Sequence, residues 1–349
     1  MNAEGPGGGQ GGVRIHSGLR VSGIRRKAGC VRDCIAGNCR IPYCAVMFEQ
    51  LFSKRGLSLD RLKSFLEVAA AGGIARAARG DAVRQSQFSR QIGELEAFFG
   101  VELVARQGRG LELTGAGRAL AAVAREQMLG LEDFRARCED EPRVFRIGAG
   151  DSLLQWVLLP RLARFQELFP RTQLHLFNLR SGDIAQRLAD LRLDFGLARA
   201  SILRPPLRHA AAGEVRYALF IPQRLWPGGR PTEARLMAEL PWVTLGSDGE
   251  FMAQVLAGAG ALGLKPAFRL VTESFPQAAR AVHTGHYAGI LPLHARSDFP
   301  EGGVRVVEAR FLKNAARKVV LAWNPRLLRV RSGAEQAAAC LKELIQIGP

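Results

Sequence analysis

Residues 84–100, which read RQSQFSRQIGELEAFFG, collect in their first half the side chains that recognise nucleic acids by hydrogen bonding. Glutamine can bond adenine and arginine can bond guanine through two hydrogen bonds each, and serine can serve a base or a phosphate. The residues concerned are Gln85, Ser86, Gln87, Ser89 and Arg90. A helix over this segment would gather its large apolar residues into one narrow stripe, which predicts burial. The stripe is formed by Phe88, Ile92, Leu95 and Phe99.

The elements before this segment predict how it is held. Apolar residues recur at helical spacing from Leu59 to Ala69, behind Ser58 as an N-cap, and Gly72 ends that helix. A shorter helical piece, IARAARG, closes at Gly80, and DAV is predicted to be a turn. This order is that of a helix-turn-helix, whose second helix enters the major groove by its N-terminal residues. The unpaired amides and positive dipole of such a helix N-terminus also suit a phosphate.

A hairpin is predicted directly after the helix. In VELVARQGRGLELT, two apolar-polar alternations flank Gly108-Arg109-Gly110, which places Arg109 at the tip. Such a wing can reach a neighbouring minor groove or phosphate, so Arg109 joins the candidate DNA contacts. For the segment 84–100 taken alone, a surface helix with incidental polarity is the alternative, and the hairpin weakens it.

The run from about Leu57 to Leu120 resembles the winged helix-turn-helix of LysR-type transcriptional regulators, and SRQIGELE and LTGAG are the most specific parts of the likeness. The resemblance implies that base and phosphate contacts fall on Gln85, Ser86, Ser89, Arg90 and Arg109. Ser86 stands where the family usually has proline in the first turn of the recognition helix, and Arg84 stands where a small polar cap is common. These departures concern the base preference and one phosphate contact.

Four regions are predicted along the chain. Residues 1–56 read as a disordered leader or an upstream extension of the reading frame, with the natural start at Met47. Residues 57–114 form the winged helix-turn-helix DNA-binding domain. Residues 115–141, alanine-rich and free of proline, form one long linker helix suited to pairing with a copy of itself. Residues 142–349 alternate strands and helices, which predicts an α/β domain.

The family likeness implies that this last region is a periplasmic-binding-protein-like effector domain of two lobes. Lobe I would hold residues from about 143 to 214 and from 304 to 349, and lobe II residues from about 215 to 303. Effectors of such domains bind in the cleft, and Ser152, Ser181 and Ser274 begin helices at the matching places. Residues 143–349 carry 28 Lys and Arg against 16 Asp and Glu. That excess suits an anionic ligand, although a bias towards arginine explains it equally well.

Other possible sites find little support in the sequence. Four cysteines, Cys30, Cys34, Cys39 and Cys44, are separated by three, four and four residues, and no histidine lies among them, so no metal site is predicted. The stretch GAGALG has a helix before it and a strand after it, the reverse of a dinucleotide site. His283, His286 and His294 lack a carboxylate partner at helical spacing. No nucleophile elbow, P-loop or H-E-x-x-H motif indicates an enzyme, and no cofactor is expected.

The leading hypothesis is a sequence-specific regulator that binds double-stranded DNA as a homodimer or homotetramer and responds to a small-molecule effector in its cleft. No apolar run reaches the roughly 18 residues of a membrane span, and no secretory signal opens the chain, so the cytoplasm is the expected compartment. The alternative is a small-molecule-binding oligomer whose N-terminal module serves assembly only. Residues 57–142 support it, because 12 Lys and Arg against 13 Asp and Glu leave them nearly neutral.

Overall fold

The computed structural model describes residues 48–107, 110–246 and 249–348. The chain divides into two units, residues 1–55 and residues 56–349. In the first unit a single helical turn, Glu49–Phe52, is described. The predicted leader over residues 1–46, with its four cysteines, lies outside the described residues, so that prediction stays open.

The second unit begins with three helices: α1 (Leu59–Ala71), α2 (Ile74–Ala78) and α3 (Ala82–Phe99). Ser58 caps α1 by accepting a hydrogen bond from the amide of Arg61 at 3.3 Å. Gly72 ends α1 in the left-handed region, at φ 69°, where glycine avoids the strain of a Cβ atom. The predicted helix-turn-helix order is therefore present.

Helix α3 begins earlier than predicted. The DAV segment is not a turn, because Asp81 caps the helix and both Ala82 and Val83 already belong to it. The turn between α2 and α3 is confined to residues 79–81. The first turn of α3 consequently ends before Ser86, and the amide of Ser86 faces a helical carbonyl. Proline at this position would remove that hydrogen bond and clash with the preceding turn.

The apolar stripe of α3 packs as expected except at its end. Phe88, Ile92 and Leu95 are buried in a core shared with α1, Leu103 and Ala121. Phe99 was predicted to be buried and is instead 38% exposed. It is the last residue of the helix, which stops at Gly100, and its ring lies edge-on against Phe98 at the rim of the domain.

Two strands and a long helix follow. Strands β1 (Val104–Gln107) and β2 (Gly110–Leu113) form the predicted antiparallel hairpin. Helix α4 (Gly115–Cys138) has 24 residues, which at 1.5 Å per residue is about 36 Å. The Thr114 hydroxyl caps α4 by accepting from the amide of Gly117 at 3.0 Å.

The LTGAG motif joins the hairpin to α4 through two close contacts. The Thr114 hydroxyl donates to the carbonyl of Glu102 at 2.6 Å. A Cβ atom at residue 117 would lie 2.0 Å from the carbonyl oxygen of Leu103, so only glycine permits this approach. The motif thereby fixes the hairpin against the start of the long helix.

The remainder of the chain alternates strands and helices as predicted. The strands are β3 (Arg143–Ala149), β4 (Thr172–Asn178), β5 (Phe195–Arg199), β6 (Arg208–Val215), β7 (Tyr217–Pro222), β8 (Trp242–Leu245), β9 (Phe268–Thr272), β10 (Ala288–Pro292), β11 (Val304–Val307) and β12 (Arg317–Trp323). The helices are α5 (Asp151–Leu153), which runs through a π-helical turn into α6 (Leu159–Leu168), then α7 (Ser181–Ala189), α8 (Glu233–Glu239), α9 (Gly249–Ala261), α10 (Phe275–His283), α11 (Pro325–Val330) and α12 (Ala334–Leu344).

The strands form two five-stranded sheets. The first sheet has the order β4-β3-β5-β12-β6, and the second has the order β11-β7-β10-β8-β9. The chain passes to the second sheet between β6 and β7 and returns between β11 and β12. The prediction that it returns near residue 304 is wrong by one strand, because β11 pairs antiparallel with β7 in the second sheet.

Candidate nucleic-acid interface and ligand cleft

The outward face of α3 carries most of the residues predicted to contact DNA. Ser86 and Arg90 lie opposite the buried stripe, Gln87 and Ser89 flank them, and Gln85 lies in the first turn of the helix, all exposed. The Arg90 side chain is 74% exposed and its Nε lies 4.0 Å from Glu94, a loose contact that leaves the guanidinium available. These side chains form a polar surface along the N-terminal half of the helix, interrupted by the exposed Val83.

Arg84 takes no part in that surface. Its guanidinium lies 3.4 Å from the carboxylate of Glu67 on α1 and 5.5 Å from the ring centre of Phe88. Both contacts direct the side chain towards the body of the domain. Because these partners come from the scaffold helix and from the apolar stripe, Arg84 helps to hold α3 in place.

Val83 is a surface residue that the sequence analysis missed. It is 78% exposed and, at 100° per residue, falls between Arg90 and Gln87 on the outward face of α3. Val83 was missed because the start of α3 was predicted too late. With DAV assigned to a turn, Val83 lay outside the predicted helix, whereas Asp81 as the N-cap places Val83 on the outward face.

The N-terminus of α3 is already occupied by an acidic side chain. Oδ1 of Asp81 accepts hydrogen bonds from the amides of Val83 at 2.9 Å and of Arg84 at 3.1 Å. The expectation that free amides at this end await a phosphate is therefore corrected. The negative charge of Asp81 also offsets the positive end of the helix dipole.

The hairpin is anchored to the C-terminal half of α3. Oε1 of Glu96 accepts from the amides of Leu103 at 2.8 Å and of Val104 at 3.2 Å. The strands pair from Val104 opposite Leu113 to Gln107 opposite Gly110. Arg109, predicted at the hairpin tip, lies outside the described residues.

Helix α4 contacts the first-sheet side of the α/β region through charged groups. The Glu126 carboxylate lies 3.1 Å from Arg329 and 3.7 Å from Arg326, both on α11. Asp133, which is buried, accepts from the amide of Ser332 at 3.0 Å. These contacts hold the long helix against the segment 325–332.

One face of α4 remains apolar and exposed. Val123, Leu131 and Phe134 are exposed and recur at intervals of eight and three residues, which places them on one side of the helix. Leu120 is half-buried on the same side. An apolar stripe of this length on a long helix is the usual seam for pairing with another helix.

A cleft of about 760 Å³ lies between the two sheets. Strands β3, β4 and β5 run parallel in one sheet, β8 and β9 run parallel in the other, and the segments after their carboxyl ends line the cleft. This edge is where open α/β folds bind ligands. Tyr217 and Phe275 also line the cleft, and their rings pack with that of Phe251 at 4.6–5.5 Å between centres.

All three predicted serines line this cleft. Ser274 caps α10, and its hydroxyl accepts from the amide of Gln277 at 3.3 Å. Ser181 is the first residue of α7, and its hydroxyl accepts from the amide of Arg199 at 3.4 Å. Ser152 is the second residue of α5. Three helix starts therefore meet at the cleft. Those of α5 and α7 come from the side of the first sheet, and that of α10 comes from the side of the second sheet.

Asp151 is the cleft residue that the sequence analysis overlooked. Its Oδ1 accepts from the amide of Ser152 at 2.6 Å, and the hydroxyl of Ser274 and the amide of Phe275 face the carboxylate and favour its ionised form. Burial raises the pKa of Asp151 above its ordinary value, although these groups oppose the shift. An acidic residue next to a candidate serine was a signal available in the sequence.

The remaining charges of the cleft are mixed. The basic groups are Arg180, Arg199 and Arg317, and the acidic ones, besides Asp151, are Asp183 and Glu273. Arg199 forms an ion pair with Glu250. The guanidinium of Arg317 lies 5.5 Å from the ring centre of Phe251. The positive excess counted over the whole α/β region is therefore not concentrated in the cleft.

The described part of the chain has neither a cluster of metal-ligating side chains nor a membrane-spanning helix. It contains no group of three or more His, Cys, Asp or Glu residues suited to a metal ion. Across the same residues, no helix is both long enough and apolar enough to cross a membrane.

Comparison with known families gives two matches. Residues 139–344 match the LysR substrate binding domain, and residues 59–118 match the bacterial regulatory helix-turn-helix protein of the lysR family. The first match alone covers more than half of the chain.

Curated relatives align over parts of the chain. The AhcY transcriptional activator HvrB of Rhodobacter capsulatus is 30% identical over 212 residues, which are 60% of this chain and 70% of that protein. The HTH-type transcriptional regulator TdcA of Escherichia coli is 29% identical over 148 residues, 41% of this chain. The chain spans only 47% of the length of TdcA.

Solved structures share the fold at lower identity. A variant of full-length OxyR from Pseudomonas aeruginosa has a TM-score of 0.57 at 17% identity and covers 84% of this chain and 95% of its own. Full-length LysG from Corynebacterium glutamicum with bound effector Arg has a TM-score of 0.57 at 15% identity, covering 83% and 98%.

Proposed function

Because the chain belongs to the LysR family of bacterial helix-turn-helix regulators, we propose that it binds double-stranded DNA in a sequence-specific way and controls transcription in response to a small molecule. The observation that carries this proposal is the outward face of α3. Apart from Val83 it is polar, and it is exposed and held in place by a buried stripe on the opposite side. A surface helix that served only to shape the domain would need no such concentration of amide, hydroxyl and guanidinium groups.

The proposed base-reading residues are those on the N-terminal half of α3. Arg90 has the free guanidinium needed for guanine, and Gln85 and Gln87 have amides suited to adenine. Ser86 and Ser89 are short donors that reach a base or a phosphate. We assign Arg109, predicted at the tip of the hairpin, to the neighbouring minor groove or backbone. The domain boundaries, residues 57–114 for DNA binding and 142–349 for the effector, are part of the proposal.

We propose that α4 joins two copies of the chain. Its exposed stripe of Val123, Leu131 and Phe134 is apolar surface whose removal from water is favourable. The same stripe on the α4 helix of a second copy can cover it. A homodimer, or a homotetramer built from two such pairs, would present two recognition helices. Their half-sites are expected about one helical turn apart, or a multiple of it.

The effector is proposed to bind in the cleft between the two sheets. Ser152, Ser181 and Ser274 all line it, and it has the volume of a small-molecule site. The contacts of Glu126 and Asp133 with residues 326–332 give a physical route from the α/β domain to α4. No resident cofactor is part of the proposal, and we place the protein in the cytoplasm, where bacterial DNA lies.

The test is selection of DNA from a random library by the full chain, followed by electrophoretic titration of the enriched sequence. A two-fold symmetric consensus, with a preference over unrelated DNA of about 10³-fold or more, is expected. No enrichment, together with normal oligomerisation, would favour the alternative that the N-terminal module serves assembly only. Replacement of Arg90 by alanine distinguishes the two further, because assembly does not need an exposed guanidinium.

A further inference from the structure

Two helices from opposite sides of the cleft direct their N-termini at one carboxylate. Asp151, in the first turn of α5, accepts from the amide of Ser152 at 2.6 Å. The hydroxyl of Ser274 and the amide of Phe275, at the start of α10, face the same carboxylate and favour its ionised form. A residue of the first-sheet side thus neutralises a helix start on the second-sheet side.

This arrangement changes what the cleft can bind. Helix N-termini are the usual places for the carboxylate of a ligand, because their amides are unpaired and their dipole is positive. Here the protein's own carboxylate lies beside both helix starts. A ligand carboxylate at the same spot would meet a like charge. The carboxylate of Asp151 therefore opposes the binding of an anionic effector at these serines.

We propose that the effector presents a protonated amine or guanidinium group to Asp151. This inference rests on the proposed function, in which the cleft is the effector site. The carboxylate is half-buried and lines the cleft, so a cation can reach it while its amide contacts persist. Asp183 and Glu273 add negative charge to the same lining. A carboxylate elsewhere on the ligand would be met by Arg180 or Arg317, so amino acids fit as well as simple amines.

Burial of Asp151 gives this contact a distinctive pH dependence. Because burial raises the pKa of Asp151, a larger fraction of this carboxyl is neutral at a given acidic pH than of an exposed aspartate. A cation favours the ionised form, so its binding releases a proton. The affinity for an amine should therefore increase as the pH rises through the pKa of Asp151. A carboxylate bound beside Asp151 would show the opposite trend.

Three four-carbon probes test the proposal on the full chain: putrescine with two amines, 4-aminobutyrate with one amine and one carboxylate, and succinate with two carboxylates. Binding is measured by ligand-observed NMR at millimolar concentrations. The wild-type protein should bind both amines about tenfold more tightly than succinate, as expected for a charge contact in a partly desolvated site. Asp151→Asn, which keeps the shape and removes the charge, should lose that preference, and Asp151→Ser should gain succinate binding.

Asp183→Asn is the matched control, since it removes a carboxylate from the same lining, in the first turn of α7, but leaves Asp151 and the start of α10 unchanged. It should change amine binding less than Asp151→Asn does. Equal binding of succinate and amines, no binding of either amine, or an equal loss in the two variants would overturn the assignment. Electrophoretic titration of the same variants keeps the two questions apart. If the wild type binds specific DNA but shows no preference for amines, only the proposed ligand class is wrong. If the wild type does not bind specific DNA, the proposed function as a DNA-binding regulator is wrong.

Discussion

Replacement of Asp81 should lower stability and raise DNA affinity at the same time. In the folded protein its carboxylate accepts two amide hydrogen bonds at the start of the recognition helix, at 2.9 and 3.1 Å. Loss of an N-cap costs about 1 kcal/mol. Asp81→Ala is therefore expected to lower the free energy of unfolding of the DNA-binding domain by about that amount. The helix otherwise keeps its packed stripe, so its fold should persist.

The same change should strengthen binding to DNA. It removes one negative charge from the end of α3 that is proposed to enter the groove, and it frees two amides for a phosphate. A favourable charge at a helix terminus is worth about 0.3–1 kcal/mol, so the affinity should rise by up to about fivefold. An added phosphate contact also steepens the dependence of log K on log salt concentration by about 0.9.

Asp81→Ser separates the two effects. Serine caps nearly as well as aspartate, so unfolding should change by only a few tenths of a kcal/mol, while the charge is still lost. Urea denaturation of both variants measures stability, and electrophoretic titration at several salt concentrations measures the affinity and its slope. A drop in DNA affinity in both variants, with no change in the salt slope, would show that this helix end does not face the phosphate backbone.

Four other expectations follow from the structure. Arg90→Ala should weaken specific binding by about 1–3 kcal/mol, and electrophoretic titration should show the loss on the selected site but not on random DNA. Val83 should contact a thymine methyl, so uracil in place of one thymine in each half-site should weaken the wild type and leave Val83→Ala unaffected. Gly117→Ala should destabilise the protein by about 1–3 kcal/mol or more in urea, because its Cβ would lie 2.0 Å from the carbonyl oxygen of Leu103. Burial and Arg161 hold the pKa of His294 below its ordinary value of 6.5, so stability should be lost as the pH falls below 6.5, where the unfolded chain takes up the proton first; thermal melts of His294→Gln should show less of this acid loss.

The apolar period of α3 was sufficient to predict its scaffold. Phe88, Ile92 and Leu95 are buried because their spacing places them on one side of any helix over this segment. Periodicity does not fix where a helix stops, and Phe99 is exposed for that reason. The start of α3 was also misplaced, since Asp81 was read as part of a turn although aspartate is among the preferred N-caps.

The α/β region was predicted at the level of element order but not of sheet membership. Strand β11 reads like any short exposed strand, and only its pairing with β7 assigns it to the second sheet. Asp151 illustrates a similar limit for the site. Its neighbour Ser152 was chosen because a helix was expected to start there, but the partners of Asp151 at Ser274 and Phe275 lie more than 120 residues away in sequence. Contacts of that range depend on how the sheets face each other.

The charged contacts of α4 have a mechanical consequence. Its ion pairs reach Asp190 at the end of α7 and Arg326 and Arg329 on α11, and all of these belong to the first-sheet side. The chain crosses to the second sheet and back through only two connections, after β6 and before β12. Two paired α4 helices and their first-sheet domains would therefore behave as a fixed frame. Any closing of the cleft would then move the second sheet about these two connections, and a label on that half would report the binding of the proposed effector.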